Sequence, residues 1–357
     1  MASVACYTSF TYAYLARARV LAESVRRLHP DWTLWALLTD QPPADFDRSA
    51  LAGFDHVIDA ASLAIPRFRS WLFKHDVVEA CTAVKGAMLV HLLGQGAGKV
   101  VYLDPDIALF APLDFILARL DSASIVLTPH QTTPNTAPAA IADNERGSMR
   151  FGIYNLGFLG VRNDVQGRRF AEWWAARLHE ACYDAPEAGL FTDQKYCDLV
   201  PGLFAGVHIE RDAGCNVASW NVNQRPLAVN RRGELTAGGR LLRFYHFTKI
   251  ASAGIDGLGD RMTERYAGDN LEVFEIVAWY KRALRRAAVP GLDLHGWHYG
   301  RFSDGTPVPR PARLLLRERA ELRARFDDPF DAAGGFLAWL RREQPHMLTI
   351  EGNAVSI

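Results

Sequence analysis

Short apolar runs alternate, through the N-terminal half of the chain, with longer segments whose apolar positions recur at helical spacing. The helical segments include YAYLARARVLAESVRRLHP, which Pro30 ends, residues 73–93, which glycines close, and RRFAEWWAARLHEACY at 168–183. Because strands that alternate with helices form parallel sheets covered on both faces, this order predicts an α/β fold with a mainly parallel sheet flanked by helices. The predicted strands span residues 2–7, 32–40, 56–60, 99–103, 124–130 and 154–163.

The character of the chain changes beyond about residue 255. Residues 271–288 and 313–326 have helical spacing, and the segment between them is rich in Gly, Pro and aromatic residues. We therefore expect one main domain over residues 1–255 and a helical and irregular C-terminal extension over 256–357 that packs on it. Within the extension, HGWHYGRF (295–302) either packs on the core, which we favour, or covers part of a ligand site.

Charge and cysteine usage exclude several classes of protein. Forty basic residues balance forty acidic ones, which argues against a nucleic-acid or other polyanion partner. Five scattered cysteines without a CxxC or CxxH pair favour reduced thiols in a cytoplasmic protein. No signal peptide and no uncharged apolar stretch of about 18 residues is found, so we expect no transmembrane segment. A peripheral membrane contact stays compatible with these features.

The strongest local signal is the pair Asp104 and Asp106 in KVVYLDPDIALF (99–110). Two carboxylates one residue apart, at the end of a buried strand, can both face a hard divalent cation such as Mg²⁺ or Mn²⁺. A solvated acidic turn is the alternative interpretation. The apolar runs on both sides favour the metal site, because a carboxylate pair held between buried segments needs compensation.

Several motifs in chain order, together with this DxD pair, resemble the GT-A nucleotide-sugar transferases, and within them the retaining family 8 glycosyltransferases (the galactosyltransferase and glycogenin group). The resemblance covers roughly residues 2 to 250. It implies a GT-A type, Rossmann-like sheet and a nucleotide-diphosphate sugar, UDP-sugar by resemblance, as donor. It also implies Mn²⁺ or Mg²⁺ as cofactor and transfer with retention of configuration.

Five of the residues that the resemblance assigns to the donor lie in the first half of the chain. Thr8 and Ser9, after the first strand, would hold the nucleobase and ribose, although acidic residues often found there are absent. Lys85 would point at the nucleotide, with a surface lysine as the alternative. Asn155 would bind sugar hydroxyls, and Gly157 would let the backbone approach the sugar, unless YNLGF (154–158) is an ordinary strand.

The resemblance also carries over the D-Q pair, here Asp193 and Gln194, as the residues beside the reacting carbon. Asp193 would bind a donor-sugar hydroxyl and Gln194 would lie beside the anomeric carbon. The residues alone also permit Asp193 as a general base for inversion. A structural alternative makes Thr192 the N-cap of a helix with Asp193 in its first turn, and both interpretations are compatible.

Two further residues follow the apolar segment LLRFYHF. By resemblance, His246 would be the third protein ligand of the metal and Lys249 would contact the diphosphate. An ammonium is a good phosphate partner, and imidazole suits manganese. His246 lies far beyond Asp106 along the chain, so only the fold can bring them together. The amide-rich loop at 216–225 suits sugar binding or a plain polar loop equally well.

These features predict a metal-dependent glycosyltransferase, as in polysaccharide biosynthesis, whose acceptor stays open between a saccharide, a lipid-linked saccharide and a protein side chain. Two other classes remain. A nucleotidyltransferase or pyrophosphorylase would share the α/β core, but the N-terminal segment lacks its Gly-rich basic loop. A non-catalytic nucleotide-sugar-binding module would be expected to have lost more of the metal and donor residues.

Overall fold

The computed structural model describes residues 3–252 and 257–348 of the 357-residue chain. Its strands are β1 Val4–Phe10, β2 Thr33–Leu38, β3 His56–Asp59, β4 Lys99–Leu103, β5 Ile107–Leu109, β6 Ile125–Pro129, β7 Tyr154–Arg162, β8 Asp184–Ala185, β9 Leu190–Phe191, β10 Val207–Ile209, β11 Val217–Ala218, β12 Leu227–Val229, β13 Leu235–Ala237, β14 Arg240–Leu241 and β15 Phe244–His246. The predicted strands are all present, with small differences at their ends.

The helices are α1 Leu15–Leu28, α2 Phe68–Phe73, α3 Val77–Ala83, α4 Lys85–Gly94, α5 Asp114–Arg119, α6 Pro138–Ala140, α7 Arg146–Phe151, α8 Val165–Ala181, α9 Val200–Leu203, α10 Leu258–Tyr266, α11 Leu271–Ala287, α12 Arg310–Glu318, α13 Ala320–Arg325 and α14 Phe336–Glu343. The structure divides two segments that we predicted as single helices: Val84 separates α3 from α4, and Arg319 separates α12 from α13.

A seven-stranded sheet with the order β10-β6-β7-β4-β1-β2-β3 forms the centre of the fold. Four of its pairings are parallel, whereas β7 runs antiparallel to both β4 and β6. Alternate residues of β4 enter opposite cores: Val100 and Tyr102 pack on one face, and Val101 and Leu103 on the other. The sheet is therefore buried on both faces, and the predicted α/β class with a mainly parallel sheet is confirmed.

A smaller sheet, in the order β11-β15-β5, extends from the end of β4. In its antiparallel register, His246 lies opposite Ile107, the first residue after Asp106. Residue Phe247 then stacks on Tyr280 of α11, with ring centroids 3.9 Å apart. The helix α11 of the C-terminal part therefore supports the strand that carries His246.

The rest of the C-terminal part packs against helices α2 and α3. The aromatic side chains of Tyr299, Phe330 and Phe336 contact one another or Phe73. The buried guanidinium of Arg313 donates to the carbonyl oxygens of Phe73, His75 and Tyr299. These contacts match an extension that packs on the core, but the predicted boundary at 255/256 lies outside the described residues.

One segment, Val77–Gly94, passes a test of length and apolar composition for crossing a membrane. More than half of it is buried inside the protein, as in core helices of soluble proteins that pass the same test. It also contains the buried charged side chains of Glu79 and Lys85. All five cysteines are free thiols, as the sequence predicted.

Candidate functional site

Asp104, Asp106 and His246 meet at the carboxyl end of β4. Asp104 directly follows β4 and Asp106 directly precedes β5, whose pairing with β15 brings in His246. The Nε2 atom of His246 lies 3.0 Å from Oδ1 of Asp106 and 3.7 Å from Oδ2 of Asp104. One ligand atom from each residue lies within 4.8 Å of the others, so the three side chains could hold one metal ion.

The orientation of the His246 ring follows from its hydrogen bonds. The backbone N–H of Gly157 donates to Oδ1 of Asn155 over 3.1 Å, which identifies this oxygen as an acceptor. The Nδ1 atom of His246 lies 3.1 Å from the same oxygen and must therefore carry a hydrogen. In the neutral ring, this leaves the Nε2 lone pair facing the two carboxylates, as a metal ligand requires.

A second histidine holds the other end of Asn155. Burial lowers the pKa of His130 to about 4, so its ring is neutral near pH 7. Its Nδ1 donates to the carbonyl oxygen of Ile153 at 3.2 Å, and its Nε2 accepts from Nδ2 of Asn155 at 3.2 Å. Asn155 is thus engaged by two imidazoles, and its side chain serves the site by positioning His246.

Gly157 makes room for the same imidazole. A Cβ atom at this position would lie 2.6 Å from Cε1 of His246 and 2.7 Å from Oδ1 of Asn155, closer than side chains pack. The carbonyl oxygen of Gly157 also accepts from the backbone N–H of Asp104 over 2.8 Å. The glycine therefore brings both a metal-ligand candidate and the DxD turn close to β7.

The charges of this cluster favour a cation. Burial by itself would raise the pKa of Asp106, but His246 outweighs it and holds the pKa below its ordinary value. Burial would lower the pKa of His246, and Asp106 reverses this and raises it. Two carboxylate oxygens and one imidazole nitrogen are also donors that Mn²⁺ and Mg²⁺ accept in proteins, so the residues fit such an ion.

Lys85 is a buried bridge between two carboxylates, so the surface-lysine alternative is wrong. Its Nζ atom lies 3.0 Å from Oδ1 of Asp104 and 2.9 Å from Oδ2 of Asp193. It also donates to the carbonyl oxygen of Leu156 and lies over the ring of Tyr102. Burial would lower the pKa of Lys85, but the two carboxylates more than offset this, and the ammonium stays charged.

Asp193, which pairs with Lys85, and the next residue, Gln194, are both buried. Burial raises the pKa of Asp193 in spite of the opposing ion pair with Lys85. The amide Nε2 of Gln194 donates to the carbonyl oxygen of Phe151 over 2.9 Å. Thr192 does not cap a helix, contrary to the structural alternative, because it has a φ of 44° and its hydroxyl donates to Oδ1 of Asp193.

A cavity of about 410 Å³, here called the central cavity, opens beside the metal-ligand cluster. The predicted residues Ser9, Lys85, Asp104, Asp106 and Lys249 all line it. Lys249 is exposed, and its φ of 52° turns the chain sharply after β15. The cavity therefore combines carboxylates at its base with an ammonium at its edge.

The C-terminal part closes one side of the central cavity through residues 293–297. Trp297 donates from Nε1 to the carbonyl oxygen of Thr39 over 2.8 Å, and the backbone N–H of His298 donates to Oδ1 of Asp40 over 2.9 Å. Burial raises the pKa of Asp40 to about 6. The segment 295–302 thus packs on the core, as favoured from the sequence, and its first residues also line the central cavity.

Two predicted elements, the end of the first strand and the amide-rich loop, take a less direct part in the candidate site. The strand β1 continues to Phe10, so Thr8 lies within it rather than in a loop, is fully buried and does not line the central cavity. In the amide-rich loop, Asn221 bonds to backbone atoms of Ala218, Asn216 and His130, which are structural contacts. Trp220 of the same loop approaches the cluster, edge-on to the ring of His246.

Sequence reasoning missed the hydroxyl of Tyr102, which donates to Oδ1 of Asp104, and the ring of His130. The position of Tyr102 carries a usable signal, because residues two apart in a strand share a face. His130 carries no such signal, because its contact with Asn155 spans 25 residues and depends on how β6 and β7 pair.

Among curated proteins, two uncharacterised proteins of Bacillus subtilis are similar to this chain. YfnF is 26% identical over 251 residues, which cover 70% of this chain and 82% of YfnF. YfnD is 28% identical over 174 residues, which cover 48% of this chain and 53% of YfnD. No protein-family model matches the sequence.

Among solved structures, the chain resembles glycosyltransferases. The galactosyltransferase LgtC, in complex with donor and acceptor sugar analogues, is 15% identical with a TM-score of 0.46 over 81% of this chain and 98% of LgtC. Mouse xyloside xylosyltransferase 1 is 14% identical with a TM-score of 0.40 over 69% of this chain and 97% of that enzyme. GlyE of Streptococcus pneumoniae is 12% identical with a TM-score of 0.42 over 80% of this chain and 64% of GlyE.

Proposed function

We propose that this protein is a metal-dependent glycosyltransferase that moves a sugar from a nucleotide-diphosphate donor, a UDP-sugar by resemblance, to a saccharide-bearing acceptor. The observation that carries the proposal is the convergence of Asp104, Asp106 and His246 beside the central cavity. These side chains come from two sheets and from distant parts of the sequence, and a network of oriented hydrogen bonds holds them.

Asp104, Asp106 and His246 would hold the metal, which when bound neutralises negative charge on the diphosphate that leaves. Lys249 stands at the edge of the same cavity, where its ammonium can pair with a phosphate oxygen. Ser9 and residues 293–297 also line the cavity and would offer walls for the nucleoside. The donor would therefore lie with its diphosphate at the DxD turn.

The sugar side of the reaction would involve Asp193 and Gln194. Lys85 ties Asp193 through an ion pair of 2.9 Å, and the carboxylate is 3% exposed, which suits a group that positions a sugar hydroxyl better than a general base for water or acceptor. Gln194 is a neutral amide whose Nε2 is already bonded to Phe151. Both points support transfer with retention, as the resemblance implies, over inversion with Asp193 as base.

Thermal shift measurements test the donor site. The purified protein would be screened with UDP-, GDP-, ADP- and dTDP-sugars, each with Mn²⁺, with Mg²⁺ and with EDTA, beside Asp106→Asn and the matched control Asp269→Asn on the exposed surface. Saturation at 100 times Kd adds about 2.7 kcal/mol of stability, which is readily seen. We expect a shift with one class of nucleotide sugar that needs the metal, disappears in Asp106→Asn and persists in the control.

Product analysis separates the competing functions. In the absence of acceptor, a glycosyltransferase would slowly release free sugar and nucleoside diphosphate. Formation of nucleoside triphosphate and sugar 1-phosphate when inorganic diphosphate is added would instead support a nucleotidyltransferase or pyrophosphorylase, and metal-dependent binding without turnover would support a binding module. No metal-dependent shift with any nucleotide sugar would overturn the assignment of the donor site.

A further inference from the structure

A second cavity of about 630 Å³ lies between helices α7 and α10 and shares no lining residue with the central cavity. Four arginines line it, Arg146, Arg150, Arg261 and Arg265, and among the residues that the structure describes Asp143 is its one lining carboxylate. We call this cavity the arginine cleft. The chain as a whole balances acidic and basic residues, so a cavity lined by several arginines is a local concentration of guanidinium groups.

The carboxylate of the cleft already has partners. Oδ2 of Asp143 lies 3.1 Å from Nη1 of Arg265 and accepts from the hydroxyl of Tyr266. Arg146 and Arg150 are exposed, and neither has a carboxylate partner among residues 3–252 and 257–348. The two guanidiniums therefore present unneutralised positive charge to the cleft, and arginine is the side chain best shaped for paired bonds to phosphate or carboxylate oxygens.

Both walls of the arginine cleft connect directly to the candidate reaction centre. Phe151 lines the cleft, and its carbonyl oxygen is the group that holds Nε2 of Gln194. On the opposite wall, the backbone N–H of Gly259 in α10 donates to the carbonyl oxygen of Lys249, which lines the central cavity. The cleft thus adjoins the residues assigned to the sugar and to the diphosphate.

We propose that the arginine cleft binds an anionic group, phosphate or carboxylate, of the acceptor during glycosyl transfer. The inference rests on the proposed function and names its acceptor class. The diphosphate of the donor has its own site at the DxD turn, so an oxyanion in the separate cleft belongs to a second substrate. Acceptors with this chemistry include a saccharide linked to a phosphate or diphosphate and a saccharide that contains a uronic acid.

Direct binding tests the cleft without any transfer. Isothermal titration calorimetry in EDTA would use sodium diphosphate and glucuronic acid as probes on the full-length protein. The double variant Arg146→Ala/Arg150→Ala would be compared with wild type and with Arg285→Ala/Arg286→Ala, two exposed arginines at the end of α11. We expect about tenfold weaker binding of at least one probe in the cleft variant only. Equal binding in all three proteins would overturn the proposal.

Transfer assays then test the assignment to the acceptor. With the nucleotide sugar found by thermal shift, the acceptors would be methyl glucoside, glucuronic acid and glucose 1-phosphate. We expect the wild type to prefer an anionic acceptor about tenfold over methyl glucoside, and the cleft variant to lose this preference while donor hydrolysis is unchanged. The preferred probe separates a phosphate-linked acceptor from a uronic acid.

The outcomes distinguish the two proposals. Donor binding and hydrolysis that persist without any anionic preference would overturn the cleft and leave the glycosyltransferase intact. A preference for an anionic acceptor that survives in the cleft variant would likewise overturn the cleft and leave the glycosyltransferase intact. Probe binding that depends on Arg146 and Arg150 in a protein that binds no nucleotide sugar would overturn the acceptor assignment together with the proposed function.

Discussion

The central cavity and the arginine cleft handle charge in opposite ways. At the central cavity, the buried Lys85 and Asp193 neutralise each other and His246 pairs with Asp106. In the arginine cleft, Arg146 and Arg150 remain exposed on the short helix α7. A buried charge must be compensated within the fold, whereas an exposed charge is stabilised by water until a ligand arrives. The first arrangement fixes geometry, and the second leaves positive charge accessible to a ligand.

The largest expected effect tests the buried half of this comparison. Lys85→Met leaves the carboxylates of Asp104 and Asp193 without their shared ammonium, and removing one partner of a buried ion pair costs about 3–5 kcal/mol. Urea unfolding in EDTA would measure this loss. The second variant Lys85→Met/Asp193→Asn removes one orphaned charge and should recover part of it. A loss below about 1 kcal/mol, as for solvent-exposed ion pairs, would mean that water reaches these charges.

The next effect concerns Asp40, under the C-terminal wall of the central cavity. Its pKa is raised from 3.8 to about 6 by burial, so this group stabilises the fold below pH 3.8 and loses that contribution as the pH rises through 6. Asp40→Asn should therefore exceed the wild type in stability at pH 7.5 by up to ~3 kcal/mol, with no gain at pH 3.5.

Unfolding curves at several pH values would check this difference. Asp59→Asn, which replaces an exposed aspartate at the end of the neighbouring strand β3, is the matched control. A wild type and an Asp40→Asn variant that stay parallel from pH 4 to 7.5 would contradict the assigned burial.

A smaller effect is expected for Asn155, which orients His246. Asn155→Leu removes the acceptor for Nδ1 of His246, and loss of such an outer contact lowers metal affinity about 10–100-fold. The Mn²⁺ concentration that gives half of the nucleotide-sugar thermal shift would rise accordingly. Asn223→Leu, on an exposed loop position, is the control. An unchanged Mn²⁺ requirement in a folded Asn155→Leu protein would show that His246 needs no positioning.

The smallest effect belongs to the arginine cleft. Because Arg146 and Arg150 are exposed, their joint replacement by alanine should change the unfolding free energy by less than about 0.5 kcal/mol. Chemical denaturation measures this quantity beside the Lys85→Met variant. A loss several times larger would mean that these guanidiniums hold the fold together, and the contrast between the two cavities would disappear.

The local sequence predicted the elements better than their arrangement. Apolar runs located the strands because a strand buried on both faces is a near-continuous run of apolar residues. The antiparallel direction of β7 was outside the reach of such patterns, since a run of apolar residues is the same in either direction. The division at Val84 was also missed, because helical spacing continues across it and only the turn of the backbone reveals it.

For the candidate site, too, local sequence predicted the side chains better than their contacts. Local sequence was enough to identify the candidate functional side chains. These are the carboxylate pair after β4, the acid-amide pair at Asp193 and Gln194, and a histidine next to a lysine-bearing turn. Local sequence also selected the α/β class, because the period of apolar residues is a local property of the chain. Roles that depend on one residue and its neighbours were accessible at this level.

Which of these side chains lie next to one another depends on the tertiary structure. The pairing of β15 with β5 brings His246 to Asp106, and the packing of α4 under the sheet turns Lys85 into a bridge rather than a surface cation. Asn155 and Gly157, which the resemblance places beside a sugar, also position and accommodate His246. The physical reason is that such contacts join residues far apart in the chain, and their distances are set by strand register and core packing rather than by local sequence.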